Sequence, residues 1–395
     1  MLGVSRRVPA SNAGCDGEPA AGTALASATR GNEAVQVGSG AAIPPCCVEF
    51  YLGQVPPFAE AALARLYPHL FSSLAFVRVF QAVDGVSTYV MRQGETITAC
   101  LLFRQTATRV EVLNQHVAIN ASVVEAFAAQ VFTRFADVLT INLLHVETTV
   151  QRLRFPLQRH NSAEDYLLRL PPTAQEYTQQ LGKATRRNIK RHGARLLEDH
   201  PSFLLRFYTA ETIRSADVTL LLQMSEAKIV SQGKRFAVDP DYARGMMRLT
   251  RECGFVAVAT IDARLCAGLI CFQTGSGFVA QVVAHDTAYD SYGLGTLCYY
   301  RTICEAIERG GTLFNLGIQR YDYKTRLLGL RRGLDKVRIY RSPRTMFVRP
   351  HQVCGMWIGQ LLRNAKLYLQ AHEKSALTRF AVATLSVARA MRARW

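Results

Sequence analysis

The most informative stretch of the chain is HDTAYDSYGLGTL at 285–297, which joins a strand-like run at 277–284 to a helical run at 293–309. Gly293 and Gly295 stand where this helix begins, so backbone N–H groups there can approach a ligand with no Cβ in the way. The N-terminus of a helix also carries positive potential, which would stabilise a phosphate or pyrophosphate. The stretch predicts an anion-binding turn. A tight strand-to-helix turn without a ligand is the alternative.

The element order around this turn occurs twice in the chain. Each element of the second set lies 168–174 residues after its counterpart, which indicates two copies of one unit. Apolar and β-branched runs predict the strands, and apolar periodicity predicts the helix. The first set comprises strands at 86–92, 96–104 and 108–113, a helix at 122–135 and a strand at 138–144. The second comprises strands at 255–261, 264–273 and 277–284, a helix at 293–309 and a strand at 312–316.

The connectors predict how these strands pair. Those at 93–95, 262–263 and 274–276 are too short for anything but antiparallel hairpins. A helix then leads to the last strand, which can pair in parallel with the third. The fold class is therefore α/β with α+β mixed sheets: two tandem units, each a mainly antiparallel mixed sheet with flanking helices.

Composition and charge limit the classes of protein. Of 395 residues, 49% are hydrophobic, which excludes wholesale disorder. No apolar run approaches the ~18 residues of a membrane span, and the N-terminus lacks the apolar core of a secretory signal. Ten cysteines without zinc-like spacing predict reduced thiols, a cytoplasmic location and no metal site. The net charge of +17 is concentrated at 183–195, 320–341 and 346–395, which carry +6, +6 and +7.

The first basic segment lies on one predicted helix at 172–198. Its cations recur at helical spacing, so they share one face that suits phosphates, although a merely solvated face is the alternative. They are Lys183, Arg186, Arg187, Lys190 and Arg191.

Three motifs resemble the GNAT acyltransferase superfamily, and more specifically its Fem-like branch with the CelD-type proteins. DSYGLG at 290–295 is similar to the Q/R-x-x-G-x-G/A loop that holds the coenzyme A pyrophosphate in that family. LGKATRRNIKR at 181–191 resembles L-x-K-x-x-R-x-N-x-R-R. FNLG at 314–317 with Tyr323-Lys324 resembles F-D-x-G followed by Y-K. Asp290 and Asn315 depart from the family patterns.

The resemblance implies an acyltransferase that uses acetyl-CoA or another acyl-CoA as co-substrate and needs no metal. The implied catalytic residues are His285 and Asp286 as candidate bases, Tyr323 as proton donor to the leaving thiolate, and Lys324 as a binder of thioester, phosphate or acceptor. The implied coenzyme-binding residues are Val283, Tyr292, Gly293, Leu294, Gly295, Thr296, Arg187, Lys190 and Arg191.

The first copy lacks the same loop chemistry. Its equivalent segment, NQHVAINAS at 114–122, contains no glycine, so it lacks the backbone freedom that a phosphate-binding turn needs. The chain is therefore expected to divide into a disordered leader at 1–45, an N-terminal GNAT-like unit without a coenzyme site at 46–165, a C-terminal GNAT acetyltransferase domain at 166–345 and a basic helical tail at 346–395.

Three functions remain open. The first is acyl transfer from acyl-CoA to an amine or hydroxyl of a small-molecule or glycan-linked acceptor, with cell-envelope or polysaccharide metabolism as a possible setting. The second is a Fem-type transferase that uses aminoacyl-tRNA, since the basic segments would also suit tRNA. The third is a non-catalytic GNAT-like binding module. The basic tail at 346–395 is expected either to pack on the domain or to make peripheral contact with a membrane surface.

Overall fold

The computed structural model describes residues 6–8, 46–231, 240–318 and 320–371. Thirteen strands form within these ranges. They are β1 (Arg6–Val8), β2 (Cys46–Tyr51), β3 (Val86–Gln93), β4 (Thr96–Thr106), β5 (Arg109–Val112), β6 (Thr140–Val146), β7 (Leu157–Arg169), β8 (Leu204–Thr209), β9 (Gly254–Ile261), β10 (Arg264–Thr274), β11 (Gly277–His285), β12 (Leu313–Asn315) and β13 (Leu330–Tyr340).

Helices flank these strands. They are α1 (Phe58–Leu66), α2 (Leu74–Phe76), α3 (Ala121–Arg134), α4 (Ala174–Gln180), α5 (Lys183–Asp199), α6 (Ser215–Ser231), α7 (Pro240–Cys253), α8 (Leu294–Glu308), α9 (Asp322–Arg326), α10 (Pro343–Val348) and α11 (Pro350–Ala371). Short helical turns also occur at Leu70–Ser72, Val77–Gln81 and Thr287–Tyr292.

The described strands form one mixed sheet in the order β1-β2-β3-β4-β5-β6-β13-β7-β12-β11-β10-β9-β8. The predicted hairpins are confirmed, because β3–β4, β9–β10 and β10–β11 each pair antiparallel. The predicted parallel pairs are confirmed as well, since β5 pairs in parallel with β6 and β11 with β12. Each half of the sheet is thus a mainly antiparallel mixed sheet, and the predicted fold class is confirmed.

The two halves exchange strands where they meet. β7 follows the first unit in the chain but pairs with β12 of the second, while β13 ends the second unit but pairs with β6 of the first. β7 and β13 also pair with each other over ten residue pairs, which joins the halves. The expected boundary at 165/166 falls inside β7, so the division into 46–165 and 166–345 remains a prediction.

The prediction of one continuous helix at 172–198 is wrong, because the structure has two helices, α4 and α5, in this segment. Leu181 and Gly182 have extended backbone with ψ of 143° and 144°, which separates α4 from α5. Leu181 is buried in the core of the second half, beside Tyr177 of α4. The extended backbone at Leu181 and Gly182 places the Leu181 side chain in the core. The apolar periodicity of the sequence does not reveal this break between the two helices.

Each half has its own apolar core. In the first, Phe127 of α3 contacts Tyr89 and Phe103 edge to face, with centroids 5.0 and 5.6 Å away. In the second, Ile303 of α8 is buried together with Phe278 of β11 and Phe314 of β12. Burying each of these side chains stabilises the fold by about 1.5–3 kcal/mol. The cores hold α3 and α8 against their sheets, so the turns that precede both helices are fixed.

The ends of the chain are only partly described. Of the expected leader, Arg6–Val8 form β1 and pair antiparallel with β2, and the other residues to 45 lie outside the described ranges. Of the expected tail, α10 and α11 are helical to Ala371, and 372–395 lie outside. Among the described helices, none has the length and apolar character needed to cross a bilayer.

Candidate functional site

A wedge opens between β11 and β12. The two strands pair in parallel only from Gly277–Leu313 to Val279–Asn315, after which β12 ends and β11 continues to His285. The register between β10 and β11 shifts at this point, because Ala280 pairs with Cys271 and Val282 with Ile270. Gln281 is therefore the extra residue of a β-bulge. Such bulges release backbone groups from ladder pairing and occur often beside active sites.

Lys324 of α9 lies beside the start of this wedge. A methyl group placed on Gly317 would lie 3.4 Å from the Ala280 carbonyl oxygen and 3.5 Å from Lys324 Nζ. The lysine is 3% exposed, and its Nζ lies 5.5 Å from the Tyr166 ring centroid and 5.9 Å from that of Tyr321. Burial lowers the pKa of Lys324 to about 8, against the opposing influence of the Asp165 carboxylate. The side chain is thus a buried ammonium at neutral pH that lies close to its titration point.

Tyr323 precedes Lys324 and packs against Tyr299 of α8, with ring centroids 5.3 Å apart. Burial raises the pKa of Tyr323 to about 12. The phenol therefore keeps its proton at neutral pH, as a proton donor must.

The turn before α8 has the predicted form. Gly293 caps α8 with φ +61°, a left-handed conformation that other residues adopt only with strain, and no heavy atom lies within 4 Å of where its Cβ would be. No side chain caps the helix at this position. The Thr296 and Leu297 N–H groups donate to the Gly293 carbonyl, so Leu294 and Gly295 carry the N–H groups at the start of α8 that can receive an anion.

His285 and Asp286 organise this turn. The His285 imidazole lies beside Gly295, whose Cβ would be 3.3 Å from Nδ1, and its Nε2 is 2.9 Å from Asp290 Oδ1. Burial and nearby Lys228 lower the pKa of His285, so the ring is neutral at neutral pH. Asp286 accepts a hydrogen bond from the Ala288 N–H. Asp290, the departure from the family loop, is therefore used to hold His285.

The expected coenzyme-binding residues divide by burial. Leu294 is fully buried and Tyr292 nearly so, with its hydroxyl donating to Asp199 of α5 at 2.7 Å, so both support the turn from below. Val283, Gly295 and Thr296 are half-buried at its surface. Arg187, Lys190 and Arg191 are exposed on α5.

Lys190 also lines an open groove of about 730 Å³ between α5, α8 and β8. Arg186 and Arg301 are the other cations of this groove, and its remaining lining residues carry no charge. This groove therefore carries three cations, and it reaches α8 at Leu297, in the first turn of that helix.

The structure does not bring the four expected catalytic residues into one cluster. Tyr323 and Lys324 lie at the start of the wedge near Ala280. His285 and Asp286 lie at the far end of β11, five and six residues further on, or about 15 Å along a strand. The first pair lies where the strands diverge, and the second lies at the anion-binding turn.

Sequence reasoning missed a buried polar network next to Lys324. Asp165 of β7 accepts hydrogen bonds from Arg332 on both oxygens, at 2.9 and 2.8 Å, and from Asn315 at 2.8 Å. His116, from the first unit, lies 2.9 Å from the same carboxylate. Burial alone would raise the pKa of Asp165, but the hydrogen bonds from Arg332 and His116 outweigh it and lower the pKa. Asn315 belongs to the FNLG motif, but no motif marks His116, Asp165 or Arg332, which lie up to 216 positions apart in the chain.

His69, His116 and Asp165 also place three potential metal ligands within 4.8 Å of one another. The Arg332 guanidinium occupies both oxygens of Asp165, and a metal cation there would be repelled by it. The arrangement suits a hydrogen-bonded carboxylate better than a metal ion.

The equivalent wedge of the first unit is closed by its own chain. The 114–122 segment turns back onto the continuation of β6, with His116 N–H donating to the His145 carbonyl and Ile119 N–H to that of Glu147. Asn114 is buried and accepts from Leu102 N–H. The absence of a coenzyme site from the first unit remains a prediction.

Comparison with known proteins places this geometry in context. Residues 183–325 match the family model described as "Acetyltransferase (GNAT) domain". The chain is similar in structure to FemX, with a TM-score of 0.52 and 8% identity over 72% of this chain and 96% of that one. L-PGS from Bacillus licheniformis aligns with a TM-score of 0.46 and 12% identity over 79% of this chain and 97% of that one. No curated protein matches the sequence.

Proposed function

We propose that this chain, whose residues 183–325 match the GNAT acetyltransferase domain model and whose fold is similar to that of FemX, transfers an acyl group from acyl-CoA to an amine or hydroxyl. The acceptor is a small-molecule or glycan-linked compound, and the reaction takes place in the cytoplasm. The observation that carries the proposal is the wedge between β11 and β12, with Lys324 at its start and the α8 N-terminus at its far end.

The residues present fit an acyl-CoA molecule laid along β11. The open space at Gly293 and the N–H groups of Leu294 and Gly295 would hold its pyrophosphate. Val283, Gly295 and Thr296 would line its path, and Arg187, Lys190 and Arg191 would attract its 3′-phosphate. The thioester end would then reach the bulge at Gln281, about 15 Å away along the strand.

Bound acyl-CoA supplies an activated acyl carbon, and the protein has to position it and manage charge and protons. A backbone N–H freed by the bulge and the Lys324 ammonium would stabilise negative charge on the thioester oxygen. As the acceptor nitrogen or oxygen bonds to the acyl carbon and the C–S bond breaks, Tyr323 Oη gives its proton to the thiolate. The acceptor's proton leaves to solvent, since His285 lies at the far end of β11, and Tyr323 regains a proton from solvent.

The reaction can be followed without knowing the acceptor. The protein is incubated with acetyl-CoA labelled with ¹³C in the acetyl group and a small-molecule extract, and new ¹³C-acetyl compounds are identified by mass spectrometry. We expect labelled N- or O-acetyl products that require the protein. Modification of the extract only when aminoacyl-tRNA is supplied as donor would contradict the proposal and favour the Fem-type alternative.

The α5 cations provide a separate prediction. The triple substitution R187A/K190A/R191A is expected to weaken acetyl-CoA binding about fivefold, because three exposed charges that contribute about 0.3 kcal/mol each total about 1 kcal/mol. Binding of 3′-dephospho-acetyl-CoA should not change, since the phosphate in question is missing. Calorimetric titration of both ligands checks this, and an equal loss for both would show that the cations do not contact the 3′-phosphate.

A further inference from the structure

Asp165 is unusual among the acidic residues described, because it is fully buried and yet held in its charged form. Its side chain is 0% exposed and accepts hydrogen bonds from Arg332 and Asn315, with His116 Nδ1 2.9 Å away. A buried carboxylate costs several kcal/mol unless it is paired and hydrogen-bonded. A hydrophobic side chain at this position would join β7 to β13 without that cost, so the carboxylate calls for another explanation.

The amide of Asn315 is matched to this carboxylate. Its Nδ2 donates to Asp165 Oδ2 at 2.8 Å, and its Oδ1 accepts from the Gly317 N–H at 2.8 Å. An aspartate at 315 would set two carboxylates 2.8 Å apart, and their mutual repulsion would raise the pKa of one of them. The asparagine that departs from the F-D-x-G pattern is therefore explained by the negative charge at position 165.

The hydrogen bonds lead from Asp165 to the wedge. Asn315 fixes Gly317, which has φ +84° and lies between the Ala280 carbonyl and Lys324 Nζ. Tyr166, the next residue after Asp165, places its ring 5.5 Å from the same Nζ. The part of the chain that the structure describes offers no salt-bridge partner to Lys324, and the Asp165 carboxylate is the charge that opposes the lowering of its pKa by burial.

The groups around Lys324 come from four elements. β7 contributes Asp165 and Tyr166, the segment before α9 contributes Tyr321, and α8 contributes Tyr299 through Tyr323. β13 contributes Arg332, which is paired with Asp165. Removal of the Asp165 charge would leave the Arg332 cation paired with the half-exposed Glu147 alone, and Lys324 would then face additional positive charge.

We propose that Asp165 is a positioning residue of the transfer site, which acts through Asn315 and Gly317 to hold Lys324 in place as an ammonium. The inference rests on the proposed function for its catalytic meaning. The effect of the Asp165 charge on the titration of Lys324 can be measured without catalytic turnover.

The titration of Lys324 is the direct test. The chain has eight lysines, so ¹³Cε-lysine NMR can resolve them, and K324R assigns the signal. In D165N we expect Lys324 to titrate about one pH unit lower than in the wild type, and in N315D to titrate higher. The swap D165N/N315D should return the titration towards that of the wild type. E147Q is the matched control, because Glu147 also binds Arg332 but does not contact Asn315, and it should change nothing.

The outcomes separate the two proposals. Lys324 titrations that are unchanged in folded D165N and N315D would overturn the role of Asp165, whatever the activity. If D165N does not fold, N315D and the swap still decide the question. A coupled titration in a protein without acyl transfer would support the inference and contradict the proposed function. With activity present, the alkaline decline of kcat/KM should move with the Lys324 titration.

Discussion

Replacement of Lys324 by methionine is expected to lower kcat for acyl transfer about 100- to 1000-fold, which is the usual cost of losing one group that stabilises developing negative charge. The protein should remain folded, with a melting temperature equal to or above that of the wild type, because methionine removes a buried ammonium from a site 3% exposed. Initial rates with ¹³C-acetyl-CoA and thermal unfolding of the same samples check both parts.

The charge of Lys324 also predicts the direction in which kcat/KM changes with pH. Burial lowers the pKa of Lys324 to about 8, so the ammonium is present below pH 8 and is lost above it. In the wild type, kcat/KM should decline about tenfold per pH unit above pH 8. K324R should lose activity but lack this decline, since arginine stays charged.

The control for Lys324 is Lys336→Met, a substitution of a half-buried lysine on β13 whose pKa is also lowered by burial. We expect its activity to stay within about twofold of the wild type, because Lys336 lies outside the proposed site. Equal losses in both variants would show that the effect comes from removing a buried lysine and not from chemistry at the wedge.

Replacement of Asp165 by alanine is expected to destabilise the protein by about 3–5 kcal/mol, the cost of breaking a buried ion pair from one side. Arg332, 14% exposed, would lose both of its bonds to the carboxylate, and Asn315 would lose its acceptor. Urea denaturation at pH 7 measures the change. The exposed pair Glu60–Arg78 is the comparison, and Glu60→Ala should cost less than about 1 kcal/mol.

Acidification should remove the contribution of the Asp165 carboxylate to the free energy of unfolding. Its pKa is lowered in the folded protein, so the stabilisation is present above the ordinary aspartate value of about 3.9 and is lost as pH falls below it. The difference in unfolding free energy between wild type and D165N should therefore be constant from pH 5 to 8 and shrink below pH 4. A difference that grows on acidification would contradict this assignment.

Local patterns in the sequence predicted the strands and helices of both repeats, because each copy carries its own apolar periodicity and turn residues. The Gly293 turn was predicted for the same reason, since Gly293 and Gly295 lie two positions apart at the start of the helix. β7 was not predicted, because LQRHNSAEDYLLR alternates poorly and contains few β-branched residues. Its strand conformation depends on pairing with β12 and β13, which lie over 140 residues away.

In the candidate site too, local sequence patterns predicted some residues, and others depend on contacts between distant strands. Lys324 and Tyr323 could be identified because they form a short motif, and Gly293 and Gly295 because they form another. The bulge at Gln281 and the network of His116, Asp165 and Arg332 could not, since both arise from the register of the folded sheet. The strand exchange of β7 and β13 is what brings Asp165 beside Asn315, and no local pattern encodes it.

Binding of acetyl-CoA to ligand-free protein, measured by calorimetric titration in three variants, tests the central claim most directly. Gly293 and Gly310 lie at opposite ends of α8, with φ of +61° and +76° and open space around both, so G293V and G310V strain the backbone alike. We predict one saturable site in the wild type and in G310V, and a loss of at least about 100-fold in affinity in G293V, because the valine fills the space for the pyrophosphate. No binding in the wild type, or equal binding in all three proteins, would contradict an acyl-CoA site at this turn.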